Sequence, residues 1–360
     1  MIYSVIVAMD NKFALTSNFI ENLLKTTNFE PDGELIIVLD GCSDGETINY
    51  LNTLSQNNHF IKLITIKNKV GYGVANNIAV ENSTGDVLVF INSDVFPETG
   101  SISMLVNYLI HNAAHVGAVQ GLLIYPQNNK VQSTGHLFLD LQNNHVYQGK
   151  KVTDPEVEKE DFRQAITTAF CAIPRKIFLR NGKFNEYYYN AYEGFELTLK
   201  IGLSGLKCVY YPKAIAYHIS GGSRNNMHIL ETQQSKYFIH HWGNYIKTDI
   251  IKYLRPQLNK KILGNIYTVI NLSQLKGWNS ILEELDIKTN GIIENPHYGE
   301  VDLYQLFPYS FLTYGGDYLF IIDSLKYIAN NYNWFKNRVL CNDIVIDAHG
   351  NVEWTENFIQ

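Results

Sequence analysis

The sequence predicts an α/β protein built on a mostly parallel, doubly wound sheet, followed by a C-terminal extension that is mainly helical. Three observations predict it. Between residues 3 and 94 short apolar runs alternate with segments of helical period, the order that produces a parallel sheet with right-handed crossovers. The run Val87 to Ile91 is continuous rather than alternating, as a strand covered on both faces requires. Asp10, Asp40 and Asp94 each directly follow such a run, which in a parallel sheet places all three on one rim, the rim where open α/β sheets bind ligands.

Taken in order, Tyr3 to Ala8 reads as the first strand, and Phe13 to Thr27 as a helix with Leu15, Phe19, Leu23 and Leu24 at helical spacing. Glu34 to Leu39 is a second strand. Asp40-Gly41-Cys42-Ser43-Asp44-Gly45 supplies a turn and a cap before a helix over Thr47 to Leu54. Ile61 to Ile66 is the third strand, and Val70-Gly71-Tyr72-Gly73 opens a helix to about Glu81. DVLVFINSDVFP, residues 86 to 97, gives a fourth strand over Val87 to Ile91 that stops at Asn92-Ser93-Asp94. Asp94 is placed either to hold a hard divalent cation against a diphosphate or to cap a helix after Pro97. Ile215 to Tyr217 is a later strand leading to His218. The division expected is 1–225 and 226–360. The second part reads as a long helical stretch broken at Pro256 and a terminal hairpin around His349-Gly350-Asn351. Its aromatic residues, among them Trp278, Tyr304, Phe307 and Tyr309, suggest an acceptor-side or assembly role.

Composition narrows the function classes. A chain of 360 residues, 46% hydrophobic and 18% charged, has material for roughly two domains of about 150 residues each. A formal net charge of -6 offers no basic field for nucleic acid. Cys42, Cys171, Cys208 and Cys341 form no CxxC pair, which argues against a zinc site or a disulfide scaffold and fits a reducing cytosol. MIYSVIVAMDNKF has no basic leader region and reads as a strand rather than a signal peptide. The most apolar stretch, 306 to 325, is interrupted by Pro308, Gly315, Gly316, Asp317 and Asp323, so the expectation is a cytoplasmic protein with at most peripheral contact at the inner face of the cell membrane.

The candidate chemistry starts from the rim. Three carboxylates without a GxGxxG after strand one disfavour dinucleotide binding and favour a metal that neutralises phosphate charge, with a carboxylate accepting from a base or ribose. In YEGFELTLKIGLSG, Glu193 and Glu196 are neighbours at i and i+3 near a helix start, either as simple helix-start acids or as a general base and its partner. His218 is either a polar edge residue or an imidazole ligand. SGGSR, residues 220 to 224, is either an ordinary loop or one that brings Arg224 over a diphosphate.

IIVLDGCSDGET, NKVGYGVANNIAVENSTGDVLVFINSDVFP (68 to 97), AVQGLLIYPQNNKVQSTGHLF (118 to 138) and the block from Ala169 to Arg224 resemble, in this order, segments of the family 2 glycosyltransferases, in their rhamnosyltransferase-like, O-antigen or capsule branch. The resemblance covers about residues 2 to 225. It implies a GT-A fold, and inverting transfer from a nucleoside diphosphate-sugar, a UDP- or dTDP-sugar, to a glycan or lipid-linked acceptor in cell-surface polysaccharide synthesis. It also implies Mg or Mn, with Asp94 and His218 as metal ligands. Asp40 is implied as the contact to the nucleotide base, and Ala8, Asp10, Asn77, Asn92, Ser93 and Arg224 as further nucleotide-sugar contacts. The family usually carries Asp after the first Glu of its acidic motif, where this chain has Gly194. Either Glu193 is the base, which its position at the helix start favours, or Glu196 is, or the chain is a degenerate module that binds nucleotide sugar or glycan without turnover. A sugar nucleotidyltransferase is disfavoured, because no Gly-rich loop bearing Arg or Lys follows strand one.

Overall fold

The structure is a computed structural model that describes residues 2–356 apart from 11, 140, 220–227, 259–261, 263–264, 295–301, 308–316 and 339–340, with the backbone alone at 228–232. Arg224, the SGGSR loop and Tyr309 lie outside the described residues. The chain forms two compact units, Met1–His136 with Lys151–Tyr245, and Leu137–Lys150 with Ile246–Gln360.

The first unit begins as the sequence dictates: β1 (Tyr3–Met9), α1 (Phe13–Thr26), β2 (Gly33–Asp40), α2 (Gly45–Asn57), β3 (Ile61–Ile66), α3 (Tyr72–Glu81) and β4 (Val87–Ile91). β4, β1, β2 and β3 pair in parallel in that order. The reason for the unbroken apolar runs is visible in their packing. Val5 and Val7 face one core with Phe19 and Leu23 of α1, while Ile6 faces the opposite core with Ala75 and Ala79 of α3. Both faces are dry, so each aliphatic side chain contributes about 1.5–3 kcal/mol through burial.

The chain continues through β5 (Val95–Pro97), α4 (Ser101–Asn112), β6 (Val116–Tyr125), β7 (Lys130–Ser133), β8 (His136–Leu139), β9 (Gln142–His145), β10 (Asp161–Arg163), β11 (Phe170–Pro174), α5 (Arg175–Arg180), α6 (Glu193–Leu203), β12 (Lys207–His218) and α7 (His228–Trp242). The large sheet has ten strands, with the path β10-β12-β6-β11-β4-β1-β2-β3; β5 pairs β12 and β7 pairs β6. β11 enters antiparallel between β4 and β6, with Phe170 opposite Ile91. α4 starts at Ser101 after Gly100 at φ 81°, so Asp94 is not a helix cap.

The second unit corrects two expectations. The division falls after Tyr245 rather than 225, and Leu137–Lys150 belongs with the C-terminal residues. Asp249 accepts from the Phe138 amide at 2.8 Å, and the Asn351 side chain donates to the Gln148 carbonyl at 2.9 Å, which ties that segment in. Among its described residues the unit is also not mainly helical. Its elements are α8 (Ile250–Leu254), β13 (Ile266–Asn271), α9 (Trp278–Glu284), β14 (Lys288–Glu294), α10 (Leu303–Leu306), β15 (Tyr318–Ile322), α11 (Lys326–Asn330), α12 (Tyr332–Lys336), β16 (Ile344–Asp347) and β17 (Val352–Trp354). Its five-stranded sheet runs β14-β13-β15-β16-β17, parallel except for the terminal hairpin β16–β17, which the sequence does anticipate. Trp278 and Phe307 are buried rather than presented to a partner, whereas Tyr304 is exposed. Among the described residues no helix is long and apolar enough to cross a membrane.

Arg338 and Asp343 form a fully buried ion pair here, with Arg338 Nη2 donating to Asp343 Oδ1 at 3.0 Å and the Tyr318 amide donating to the same oxygen at 2.9 Å. Asp343→Ala leaves a buried guanidinium uncompensated, so its urea unfolding should show a loss of about 3–5 kcal/mol. An unchanged midpoint would mean that the pair contributes nothing.

Candidate active site

The carboxyl end of β4 is held in place by the strands beside it. The Asn92 amide donates to the Ala169 carbonyl at 3.0 Å, and the Val95 amide closes the turn on the Asn92 carbonyl at 3.1 Å. β12 then pairs with β5 so that His218 lies opposite Val95, and the Ile219 amide donates to the Asp94 carbonyl at 3.0 Å. This register brings His218 Nε2 to 3.2 Å from Asp94 Oδ1, with the two side chains 17% and 18% exposed.

On its other side the imidazole meets Gln132 of β7, Nδ1 to Oε1 at 2.6 Å, while the Gln132 amide nitrogen donates to the His218 carbonyl at 3.5 Å. That orientation of Gln132 assigns the ring proton to Nδ1. In the neutral ring Nε2 is then an acceptor aimed at a carboxylate that can only accept. The two repel unless a proton or a cation lies between them. A carboxylate and an imidazole whose far nitrogen is fixed by an outer partner fit a divalent metal. Asn92 Oδ1, buried and without a hydrogen-bond partner among the described residues, adds a free acceptor beside them. Among the described residues no group of three or more His, Cys, Asp or Glu completes a metal cage, so the remaining positions suit oxygens of a ligand or water. Ser93, half-buried, occupies the same turn.

The ends of β1 and β2 form the neighbouring part of the rim. Asp40, buried at the end of β2, accepts from the Val70 amide at 2.7 Å and the Gly71 amide at 2.9 Å. Gly71 has φ 92°, and a Cβ there would lie 2.3 Å from the Tyr189 carbonyl, so this turn requires glycine. Asp40 thus fixes the entry to α3. Asp10 forms an ion pair with Lys69 from the same turn. Burial opposes the Lys69 charge, but the bond to Asp10, with the charge of Asp40 nearby, raises its pKa above the ordinary lysine value. Ala8 is half-buried in β1, in register with Val38.

The third part is α6. Tyr192 at φ 72° turns the chain into the helix, and Glu193 is its first residue, 6% exposed. A Cβ on Gly194 would lie 2.1 Å from Thr168 Oγ1, so the space for a side chain at 194 is already filled. Thr168 also accepts from the Tyr72 hydroxyl, 3.2 Å from its carbonyl, and it adjoins Ala169, the partner of Asn92. Contacts therefore run from Asn92 through Ala169 and Thr168 to the start of α6. Gly194→Asp, which writes the usual acidic residue into the motif, should cost about 1–3 kcal/mol in chemical denaturation through overpacking; full stability would mean that Thr168 yields easily.

Two site residues expected from the sequence also have partners in the loop before α6. Glu196 accepts from the Tyr188 hydroxyl at 2.8 Å and from Asn185 Nδ2 at 3.2 Å, with Lys200 at 3.8 Å. Its carboxylate braces the loop before α6. Burial, with the bond to Glu196, pushes the Tyr188 hydroxyl far above its ordinary pKa. Asn77 is buried, donating to the Phe184 carbonyl and Glu186 Oε1, each at 3.0 Å, and accepting from the Phe184 amide at 3.2 Å. Both ends of its amide are engaged by that loop. Gln132, Lys69 and Thr168 enter the site without having been singled out in the sequence. They are ordinary polar residues whose partners are distant in the chain.

Residues 4–180 match the family described as Glycosyl transferase family 2. The chain is 28% identical over 214 residues to a GalNAc(5)-diNAcBac-PP-undecaprenol beta-1,3-glucosyltransferase of Campylobacter jejuni, a match covering 59% of this chain and 62% of that protein. It is 23% identical over 239 residues to the O-antigen biosynthesis protein RfbC of Myxococcus xanthus, covering 61% of this chain and 17% of that protein. The chain spans between 17% and 62% of the length of the curated relatives it matches. Among solved structures it resembles GalNAc-T7, crystallised with UDP, GalNAc and Mn2+, with a TM-score of 0.55 and 14% identity over 80% of this chain and 55% of that one. That likeness agrees with the sheet described above in giving a GT-A, Rossmann-like fold.

Proposed function

Residues 4–180 are a glycosyl transferase family 2 domain, and from that premise we propose that the chain is a metal-assisted, inverting enzyme that transfers a sugar from a UDP- or dTDP-sugar to a glycan or lipid-linked acceptor in cell-surface polysaccharide synthesis. The observation that carries this reading is the approach of Asp94 Oδ1 and His218 Nε2 to 3.2 Å at the carboxyl rim of the sheet, with Gln132 on the far side of the imidazole. Asp94 and His218 hold Mg or Mn, with Gln132 fixing the imidazole. The ion, when bound, supplies Lewis-acid stabilisation of the charge that develops on the leaving diphosphate.

Asp40 holds the 69–72 turn against which the nucleoside lies, and Ala8, Asp10 and Lys69 line the same rim. Glu193 takes the proton of the acceptor hydroxyl as it attacks the anomeric carbon from the face opposite the diphosphate, which inverts that centre. The Campylobacter relative is named for an undecaprenol-linked acceptor and the Myxococcus one for O-antigen biosynthesis, which supports a lipid-linked or glycan acceptor and a place of action at the inner face of the cell membrane. The competing reading, a module that binds without turnover, is favoured by Gly194, where the motif's usual acid is absent.

Donor hydrolysis tests both readings. With a panel of UDP- and dTDP-sugars and Mn or Mg, release of nucleoside diphosphate from at least one donor is expected. Metal-dependent nucleotide binding with no turnover of any donor would replace the enzyme by the binding module.

A further inference from the structure

An aromatic ladder stands beside α6. Tyr187 and Tyr237 of α7 stack with ring centres 3.9 Å apart and planes 22° from parallel, and His241, one helical turn on, continues the stack at 4.0 Å. Tyr188 packs edge-on against both tyrosines, and its hydroxyl is the one bound to Glu196. Tyr192, whose ring lies 6.1 Å from Tyr188 and 5.3 Å from Phe238 of α7, directly precedes Glu193. The ladder thus connects, through Tyr188 and Tyr192, to the helix start that bears the proposed base. Tyr187, at one end of the stack, is 54% exposed although a parallel ring backs one of its faces.

We propose that Tyr187 is a distal acceptor subsite that stacks a pyranose ring of a saccharide acceptor whose chain runs along the ladder toward Glu193. The proposal rests on the reading of Glu193 as base and adds to it the chemical class that binds there. The face of an aromatic ring is negative, and the C–H face of a pyranose is apolar and weakly positive, so the two attract; His241 Nδ1 is bound to the Tyr237 carbonyl at 2.8 Å, which leaves Nε2 and the Tyr187 hydroxyl to meet sugar hydroxyls. A stack that fixes Tyr187 from behind also removes the entropic cost of ordering it on binding. A membrane surface is the weaker match. It calls for a cluster of Lys and Arg, and α7 carries Lys236 as its single lysine or arginine in a chain of net charge -6. α7 lies beyond the 4–180 family match, as a feature that sets acceptor choice for one chain would.

The test uses the full chain and methyl β-glycosides of glucose, galactose, N-acetylglucosamine, N-acetylgalactosamine and rhamnose. NMR saturation transfer from protein to the ring protons of at least one glycoside is expected for wild type and Tyr187→Phe, and its loss in Tyr187→Ala. In transfer assays Tyr187→Ala should lower the ratio of transfer to donor hydrolysis about tenfold, chiefly through acceptor KM. Equal saturation transfer in Tyr187→Ala, or none to any glycoside from wild type, overturns the proposal. So does Tyr187-dependent binding to phosphatidylglycerol vesicles in place of glycosides. If wild type hydrolyses no donor yet contacts glycosides through Tyr187, the base assignment falls and the saccharide site stands.

Discussion

Glu193→Gln should lower kcat about 10²- to 10⁴-fold while nucleoside diphosphate affinity stays at the wild-type value, because the amide keeps the shape of the side chain and loses its ability to take a proton. The expectation follows from how α6 divides its two acids. Glu196 is bound by Tyr188 and Asn185 and serves the loop that carries them. Glu193 stands at the helix start, above the entry of α3, where a Cβ placed on Gly73 would lie 3.7 Å from its own Cβ. Glu196→Gln should instead lose about 1–2 kcal/mol of stability, measured by urea unfolding, from weakened charge-assisted bonds, and retain most of its turnover. Near wild-type kcat in Glu193→Gln with an inactive Glu196→Gln would invert the assignment.

Asp94→Ala is expected to have the second large effect, about 10²- to 10³-fold in kcat, the usual cost of removing a group that stabilises charge in the transition state. Gln132→Leu separates the carboxylate from its support. It keeps both ligands but frees the imidazole, and should weaken Mn affinity about 10- to 100-fold. A Mn affinity that is independent of Gln132 would place the ion elsewhere.

The sequence made the first half of the large sheet legible because β1 through β4 and the helices between them are set by local period, and the acidic residues at three strand ends then fall on one rim without further information. It was less able to say what each polar residue does. Asn77 and Glu196 sit in segments similar to family motifs, yet their side chains are spent on the 184–188 loop, whose position depends on long-range packing. Gly194 reads as a lost acid until Thr168 is seen to fill its place. The bond between Gln132 and His218 depends on the registers of β12 with β5 and of β6 with β7, none of which leaves a local signal. In the C-terminal unit the apolar runs YTVIN, YLFII and IVID are short and separated by segments of mixed period, so the alternation that marks an α/β sheet was obscured, while the hairpin at Gly350 kept its turn signature.

The central claim is that Asp94 and His218 bind a nucleoside diphosphate through a divalent cation. Calorimetric titration of UDP and dTDP into wild type and Asp94→Ala, each in Mn and in chelator, tests it most directly. Wild type should bind at least one of the two nucleotides in Mn and lose most of that affinity in chelator, whereas Asp94→Ala should bind equally weakly in both. Equal affinity in all four combinations of protein and buffer, for the nucleotide that binds, would contradict the account.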